Sequence, residues 1–193
     1  MLRSLIFFIV LLYSCIIFSQ EIDSRLVKLN KNVLSASDYT EKVDALLKIG
    51  EYQTQRELLR AEKYFLEALE LIKTKTKNKN QLGIVYTKLG VVNRRKGEHV
   101  NAIDYYLKAK KIFEKNKDTT NIADVIHNMA LVYRFQKQYD KSLKNLKLAI
   151  RLNEKAKDSF STAMGYSMIG IVYRLKNKLD SAFISYKKAK KIF

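Results

Sequence analysis

Apolar residues recur at every third or fourth position from Asp38 onward, which places them on one face of an α-helix. No stretch alternates apolar and polar residues for long enough to predict a β-strand. Proline is absent from the sequence, so no predicted helix is interrupted by one. The pattern therefore predicts an all-α fold.

The helical pattern is itself repeated along the chain with a period of forty residues. Residues 86–113 return in altered form as residues 126–153 and again as residues 166–193. A weaker copy, at about residues 38–78, precedes these three. A fixed period of this length predicts helical units that stack in a row, each burying its apolar face against its neighbours.

Each copy carries the same set of large and small residues on two predicted helices. The small positions let the two helices of a pair approach closely, and the large residues fill the space between successive pairs. This spacing resembles the tetratricopeptide repeat. The residues that carry the resemblance are Tyr86, Leu89, Gly90, Asn93, Ala102, Tyr106 and Ala109, then Ile126, Met129, Ala130, Tyr133, Ser142, Leu146 and Ala149, then Tyr166, Ile169, Gly170, Tyr173, Ala182, Tyr186 and Ala189.

The resemblance implies a right-handed α-solenoid, a superhelix of stacked antiparallel helix pairs. It divides the chain into a cap or linker at 20–37, a degenerate repeat at 38–78, repeats at 79–118 and 119–158, and an incomplete repeat at 159–193. The period is longer than the family's common length of about 34 residues, so longer helices are expected.

Helix starts are predicted where a short polar side chain precedes the apolar pattern. Ser37 and Asp38 form one such start, and Glu41 is placed to reach back toward it. The family's proline at the end of the second helix is missing, so polar loop residues must end one helix and begin the next. The candidate N-caps in these loops are Asp118 or Thr119 and Asp158 or Ser159.

Residues 1–19 combine one basic residue, Arg3, with an apolar run, and are typical of a secretory signal peptide cleaved after Ser19. A retained membrane anchor is the alternative, but the apolar run extends only from Leu5 to Phe18, and a spanning helix needs about 20 apolar residues. A third interpretation is a lipobox-like segment that ends in Cys15, the only cysteine, which would be acylated. The resemblance to exported arrays places the protein in the periplasm or cell envelope of a Gram-negative bacterium.

The formal net charge of +18 raises the question of an anionic partner. Lysine supplies most of this charge and is scattered through every predicted helix, which favours a solvated lysine coat over a nucleic-acid surface. We therefore expect no nucleic-acid partner. The charge favours acidic protein or peptide partners, and a lipid anchor or a further C-terminal region would add membrane contact.

Catalytic and metal-binding patterns are not found in the sequence. His99 and His127 are the only histidines and match no metal-ligand spacing. All glycines are single, so no phosphate-binding loop is predicted. These observations predict a protein that is not an enzyme and needs no cofactor.

In tetratricopeptide arrays the first helix of each pair lines a concave groove, and the resemblance assigns this role here. Arg94, Arg134 and Arg174 recur at forty-residue intervals and would form a ladder. The ladder either binds carboxylates, or it neutralises helix C-termini and pairs with Asp140 or Asp180. The candidate groove residues are Lys88, Arg94, Arg95, His127, Asn128, Arg134, Phe135, Met168 and Arg174.

Two functions are consistent with these patterns. The first is an exported scaffold that binds a peptide or protein partner in the concave groove. The second is the periplasmic input region of a signal-transduction protein, a histidine kinase or transcriptional regulator, because the last predicted helix at Phe193 stops before the point at which earlier copies continue. An apolar run of about 20 residues encoded after Phe193 would decide for the second.

Overall fold

The computed structural model describes residues 24–75 and 79–192. The predicted signal segment 1–19, with Cys15 and Ser19, lies outside the described residues. The chain divides into two compact units, Met1–Leu71 and Ile72–Phe193. In the described part, every element is a helix, as predicted, and none is both long and apolar enough to cross a membrane.

The first unit contains α1 (residues 24–34), α2 (Tyr39–Thr54) and most of α3 (Leu58–Lys75). The predicted start of α2 is confirmed, because the Asp38 carboxylate accepts hydrogen bonds from the backbone N–H groups of Thr40 and Glu41. The Glu41 carboxylate reaches back and accepts from the backbone N–H and hydroxyl of Ser37 at 2.9 and 2.8 Å. These reciprocal bonds satisfy donors that the first helical turn would otherwise leave unpaired.

The core of the first unit is built on close approach between α2 and α3. A Cβ added to Gly50 would lie 2.4 Å from the buried ring of Phe65, so only glycine leaves room for that ring. An ion pair between Lys42 and Glu67 joins the same two helices at 3.4 Å. The aromatic residue of this degenerate copy therefore fills the groove over its glycine, as large residues fill the space between helices elsewhere.

The second unit contains three antiparallel helix pairs in chain order. The pairs are α4 (Lys79–Lys96) with α5 (His99–Lys115), α6 (Thr119–Phe135) with α7 (Tyr139–Lys155), and α8 (Ser159–Leu175) with α9 (Leu179–Ile192). Each pair also packs on the next one, α5 against α6 and α7 against α8. This is the stacked arrangement of an α-solenoid, the predicted fold class.

Five helices of this unit, α4 to α8, end in the same way. The N–H of the residue after the C-cap donates to the carbonyl three residues back, and the next N–H donates five residues back, as in Lys117 to Glu114 and Asp118 to Phe113. This is the Schellman motif, which needs a left-handed residue at its turn. That residue is glycine once and otherwise lysine or asparagine: Gly97, Lys117, Lys137, Lys157 and Asn177.

The helices α6 and α8 begin at aspartate N-caps. The Asp118 carboxylate accepts from the N–H of Asn121 at 3.1 Å, and the Asp158 carboxylate accepts from the N–H of Ser161 at 2.9 Å. Of the two candidates predicted at each start, the aspartate is therefore the cap, and Thr119 and Ser159 are the first helical residues. The cap hydrogen bonds lower the pKa of both carboxyl groups despite partial burial.

The core between pairs uses large residues that close over small ones. The fully buried ring of Tyr106 lies over Gly90, and Val125, Met129 and Val132 of α6 pack against the same cluster. In the middle pair Ala130 replaces the glycine and Leu146 replaces the tyrosine. There the buried Ser142 hydroxyl donates to the Ala130 carbonyl at 2.8 Å, so the small residues face each other as predicted.

Candidate functional site

Two arginines of the predicted ladder come together in the last turns of α4 and α6. Arg94 and Arg134 are both half-buried, and neither makes an ion pair with a carboxylate in the part of the chain described. Burial lowers the pKa of Arg134, and the nearby positive charge of Arg94 lowers it further. The fold therefore holds two like charges close together, which is an unfavourable arrangement for the protein alone.

Polar atoms without hydrogen-bond partners collect around this arginine pair. Among the described residues, the Nε atoms of Arg94 and Arg134 and the Nδ1 atom of His99 are buried and unbonded, and the buried Tyr106 hydroxyl faces the Arg94 guanidinium without a hydrogen bond of normal geometry. Burial raises the pKa of Tyr106 to about 12, and the adjacent Arg94 guanidinium opposes that rise. A buried polar group without a partner costs about 1–3 kcal/mol, so the fold carries an energetic cost around the arginine pair.

An aromatic surface borders the arginine pair. The Phe135 ring is 52% exposed and stacks on the His99 ring, with 6.1 Å between centroids and 15° between planes. The Arg134 guanidinium lies 4.6 Å from the centroid of the Phe135 ring. An exposed ring backed by a cation offers an apolar contact directly beside the positive charges.

His127 and Asp124 supply the remaining charges on this face of α6. Burial lowers the pKa of His127; the Asp124 carboxylate opposes this effect, while Arg94 and Arg134 add to it. The surrounding helices remove hydration from the Asp124 carboxyl and raise its pKa, although the residue is solvent-accessible, and His127 and Lys88 oppose the rise. His127 therefore lies among the charges of Asp124, Arg94 and Arg134, and Lys88 in turn acts on Asp124. We call Arg94, Arg134, His99, Tyr106, His127 and Phe135 the inner cluster.

Asn128, another predicted groove residue, is occupied within its own helix. Its side-chain amide donates to the Asp124 carbonyl at 3.0 Å and to the Asp124 carboxylate at 3.1 Å. The residue is buried, with 9% of its surface exposed. Because this amide is bonded to Asp124, Lys88 and Asn128 do not form a free lysine–asparagine pair for a ligand.

Three other predicted groove residues lie outside the inner cluster. Arg95 is exposed in the last turn of α4, and Arg174 is exposed in the last turn of α8. Met168 packs against the buried core formed by α6, α7 and α8. The forty-residue spacing thus brings two of the three ladder arginines together, and Arg174 is not among the charges that shift the pKa of Arg134.

The predicted pairing of the ladder with Asp140 is wrong. Asp140 accepts instead from the Lys176 ammonium group at 2.5 Å, which lowers the pKa of the carboxyl. Lys176 is the C-cap residue of α8, in the turn toward α9. From there its side chain reaches Asp140 in the first turn of α7, and this ion pair takes the place of the predicted pair with an arginine. Arg94, Arg134 and Arg174 do lie at helix C-terminal ends, where a cation interacts favourably with the helix dipole.

Sequence reasoning missed His99 and Tyr106 as members of the cluster. His99 is the first residue of α5, and its ring reaches Phe135 on α6. Tyr106 occupies the large position of the repeat, where the middle copy has Leu146, so it was counted as packing alone. The difference between Tyr106 and Leu146 is the feature of the sequence that could have identified this site, because a tyrosine hydroxyl at a buried position needs a hydrogen-bond partner.

A small pocket lies beside His127, between α6 and α8. Its volume is about 120 Å³, and its walls include Asp124, His127, Asp158 and Met164. Within the described ranges, no three histidine, cysteine or acidic side chains are grouped as a metal site would require. The pocket extends the polar surface of α6 toward α8.

The chain is similar to known repeat proteins in sequence. A tetratricopeptide-repeat model matches residues 121–193, and a second tetratricopeptide-repeat model matches residues 84–116. Together the matched segments include more than half of the 193 residues. No curated protein sequence matches the chain.

Solved structures share the helical fold at low sequence identity. BtubC (BKLC) of P. vanneervenii has a TM-score of 0.76 at 17% identity, over 89% of this chain and 73% of that protein. Aspartyl phosphate phosphatase F of Bacillus subtilis has a TM-score of 0.80 at 20% identity, over 90% of this chain and 48% of that protein. A Rap protein in complex with competence and sporulation factor has a TM-score of 0.80 at 14% identity, over 91% of this chain and 50% of that protein. This chain thus spans about half the length of the last two.

Proposed function

The chain belongs to the tetratricopeptide-repeat family, and from that premise we propose that it is a protein-interaction scaffold rather than an enzyme. Its ligand is a peptide segment, or an extended segment of a partner protein, that carries a carboxylate. The segment binds on the inner helices α4 and α6 with its carboxylate between Arg94 and Arg134. The complex of a Rap protein with competence and sporulation factor, which shares this fold, is consistent with such a role.

The convergence of Arg94 and Arg134 without a described carboxylate partner carries this proposal. A guanidinium group donates two parallel hydrogen bonds to a carboxylate, and a charged hydrogen bond of this kind is about twice as strong as a neutral one. A bound carboxylate would relieve the repulsion between the two arginines. The like-charge cost that the free protein carries thus becomes binding energy for an acidic ligand.

The exposed Phe135 ring adds a second requirement for the ligand. Phe135 and His99 form a flat apolar surface next to Arg134. An aromatic or aliphatic side chain adjacent to the carboxylate would cover this surface and exclude water from the charged pair. The preferred motif therefore combines an acidic residue with a large apolar neighbour.

The proposal is tested with a fluorescent peptide that carries glutamate next to phenylalanine, in low salt, by fluorescence anisotropy. The double variant Arg94→Gln/Arg134→Gln should bind it at least about tenfold more weakly, since it removes two charged hydrogen-bond donors of about 1.5–3 kcal/mol each. The matched control is Arg95→Gln/Arg174→Gln, which removes the same charge in the last turns of α4 and α8 and should bind within about twofold of the unmodified chain. Equal losses in both variants would mean that only net charge matters, and the proposal would fail.

Export to the periplasm or cell envelope is a further part of the proposal and rests on residues 1–19. Mass spectrometry of the N-terminus of the protein from its own producing cells tests it. A mature chain that begins at Gln20 supports cleavage after Ser19, and an acylated Cys15 supports the lipid anchor. A chain that retains Met1 in the soluble cytosolic fraction would rule out export.

A further inference from the structure

A separate cleft lies between α7 and α9, over the outward face of α8. Its volume is about 610 Å³, within the range of about 300–1,000 Å³ that is usual for ligand sites. Its rim carries four cationic side chains, three from α7 and one from α9: Lys144, Lys147, Arg151 and Lys188. The inner cluster lies on α4, α5 and α6, so the two surfaces share no residue.

The rim cations have no carboxylate partners in the described ranges. None of Lys144, Lys147, Arg151 and Lys188 forms an ion pair there, although Lys188 lies 5.5 Å from the centroid of the Tyr166 ring. The one acidic residue of the cleft, Glu154, accepts a hydrogen bond from the Tyr166 hydroxyl at 3.3 Å. The cleft is therefore strongly positive.

The preceding helix pair shows that this charge is specific to the cleft and is not simply part of the lysine coat. Forty residues earlier, the positions of Lys144 and Lys147 are held by Asp104 and Leu107. Asp104 there pairs with Lys108 at 2.6 Å. The position of Arg151 is held there by Lys111, so the same face of α5 carries one of these three cations where the face of α7 carries all three.

The floor of the cleft is apolar. Ile150 and Ile169 are 4% and 5% exposed, and Ile184 on the α9 wall is 55% exposed. Tyr166 and Tyr173 close the floor between them. A free inorganic anion would use the rim and leave Ile184 and the half-buried tyrosine rings uncovered, whereas an apolar side chain would bury that surface at about 25 cal/mol per Å².

We propose that the α7–α9 cleft is a second docking site, which takes an acidic peptide segment with an aliphatic side chain seated on Ile184 and on the rings of Tyr166 and Tyr173. Lys144 and Arg151 are seven residues apart, about 10 Å along the helix axis. This distance is spanned by about three residues of extended chain, so alternating acidic and apolar residues fit the row of cations and the floor at once. The site is independent of the proposed inner-cluster function and gives the scaffold two peptide-binding faces.

The test uses a fluorescent peptide of alternating glutamate and leucine, measured by anisotropy in an Arg94→Gln/Arg134→Gln background. That background removes the proposed inner site, so failure of one site is distinguishable from failure of the other. Lys144→Gln/Lys147→Gln/Arg151→Gln should weaken binding at least about tenfold. The matched control, Lys111→Gln/Lys115→Gln/Lys155→Gln, removes the same charge at exposed sites outside the cleft and should stay within about twofold.

Two further measurements address the kind of ligand. Ile184→Ser, at a half-exposed position where folding tolerates change, should weaken binding several-fold, and the peptide with glutamine in place of glutamate should bind at least about tenfold more weakly. Equal losses in the cleft and control variants, or an unchanged affinity in either Ile184→Ser or the cleft variant, would overturn the proposal. Competition by inorganic phosphate at the peptide's own concentration would overturn it as well, because it would identify a small-anion site.

Discussion

At the scale of single residues, the spacing of the helices is set by glycines that lie under aromatic rings. A Cβ on Gly90 would lie 2.5 Å from the Tyr106 ring, and a Cβ on Gly170 would lie 2.5 Å from the Tyr186 ring. The Tyr106 ring is fully buried, whereas Tyr186 is 37% exposed. The two sites thus have the same local geometry and differ in how freely the ring moves away.

This difference predicts unequal effects of the same substitution. Gly90→Ala should destabilise the protein by about 1–3 kcal/mol, because the buried ring has no space into which it can shift. Gly170→Ala should be nearly neutral, because the Tyr186 ring shifts outward and alanine gains about 1 kcal/mol in helix propensity. Urea unfolding of both variants measures the difference, and equal losses would show that ring mobility is not the deciding factor.

The lysines in left-handed conformation give a second prediction at this scale. Lys137 has a φ of 58°, which costs a residue with a Cβ about 1–2 kcal/mol and costs glycine much less. Lys137→Gly should therefore stabilise the protein, by about 0.5–1 kcal/mol after the greater unfolded-state freedom of glycine is included. Lys187→Gly, at an exposed position inside α9, is the control and should destabilise by a similar amount, as seen in thermal melts.

At the scale of helices, the N-caps divide into two kinds. The side chains of Asp118 and Asp158 cap α6 and α8, whereas Glu98 and Gln138, which precede α5 and α7, make no side-chain cap bond. Asp118→Ala and Asp158→Ala should each cost about 1 kcal/mol, and Gln138→Ala should cost close to nothing. Chemical denaturation at neutral pH checks the contrast, and a similar loss in all three variants would contradict it.

The same caps predict a direction for acid sensitivity. The folded-state pKa of each cap carboxyl lies below its unfolded value, so the folded protein binds fewer protons. The stabilisation is therefore present above the ordinary aspartate pKa of about 3.9 and is lost as pH falls through the lower folded value. The alanine variants should lose less stability than the unmodified chain when melts are repeated below pH 4, and a larger loss would reverse the assignment.

The helices and three of their N-caps are predictable because the signals are local. The forty-residue period places Leu89, Gly90 and Tyr106 correctly in a helix pair, and aspartate before an apolar run is a reliable cap. The shared turn was not predictable from Lys117, Lys137 or Lys157, because lysine has no preference for a positive φ. The backbone imposes that conformation when one helix must reverse into the next within a few residues.

At the scale of the whole molecule, the repeat pattern predicts which helices line the inner face but not which of their arginines lie close together. Arg94, Arg134 and Arg174 are equivalent in the repeat, yet α4 contacts α6 directly and only Arg94 is among the charges that shift the pKa of Arg134. His99 reaches the site from α5 through a ring contact that spacing does not encode. Such convergence depends on tertiary contacts between repeats.

The formal net charge of +18 attracts acidic ligands to the entire surface, so affinity alone does not locate a site. His127 provides a local reporter, because its pKa is already lowered by burial, Arg94 and Arg134, with Asp124 opposing them. A carboxylate bound between the arginines would add a negative charge beside the imidazole and stabilise its protonated form. By linkage, binding through this site should strengthen as pH falls through the His127 pKa.

The most direct test is therefore an NMR titration of the His127 ring protons with and without saturating glutamate–phenylalanine peptide. The His99→Gln variant, recorded in parallel, assigns the two histidine signals. If Arg94 and Arg134 receive the ligand carboxylate, the pKa of His127 rises when the peptide is bound, and the rise is absent in Arg94→Gln/Arg134→Gln. A peptide that binds while the His127 pKa stays constant or falls would contradict the inner cluster as the binding site.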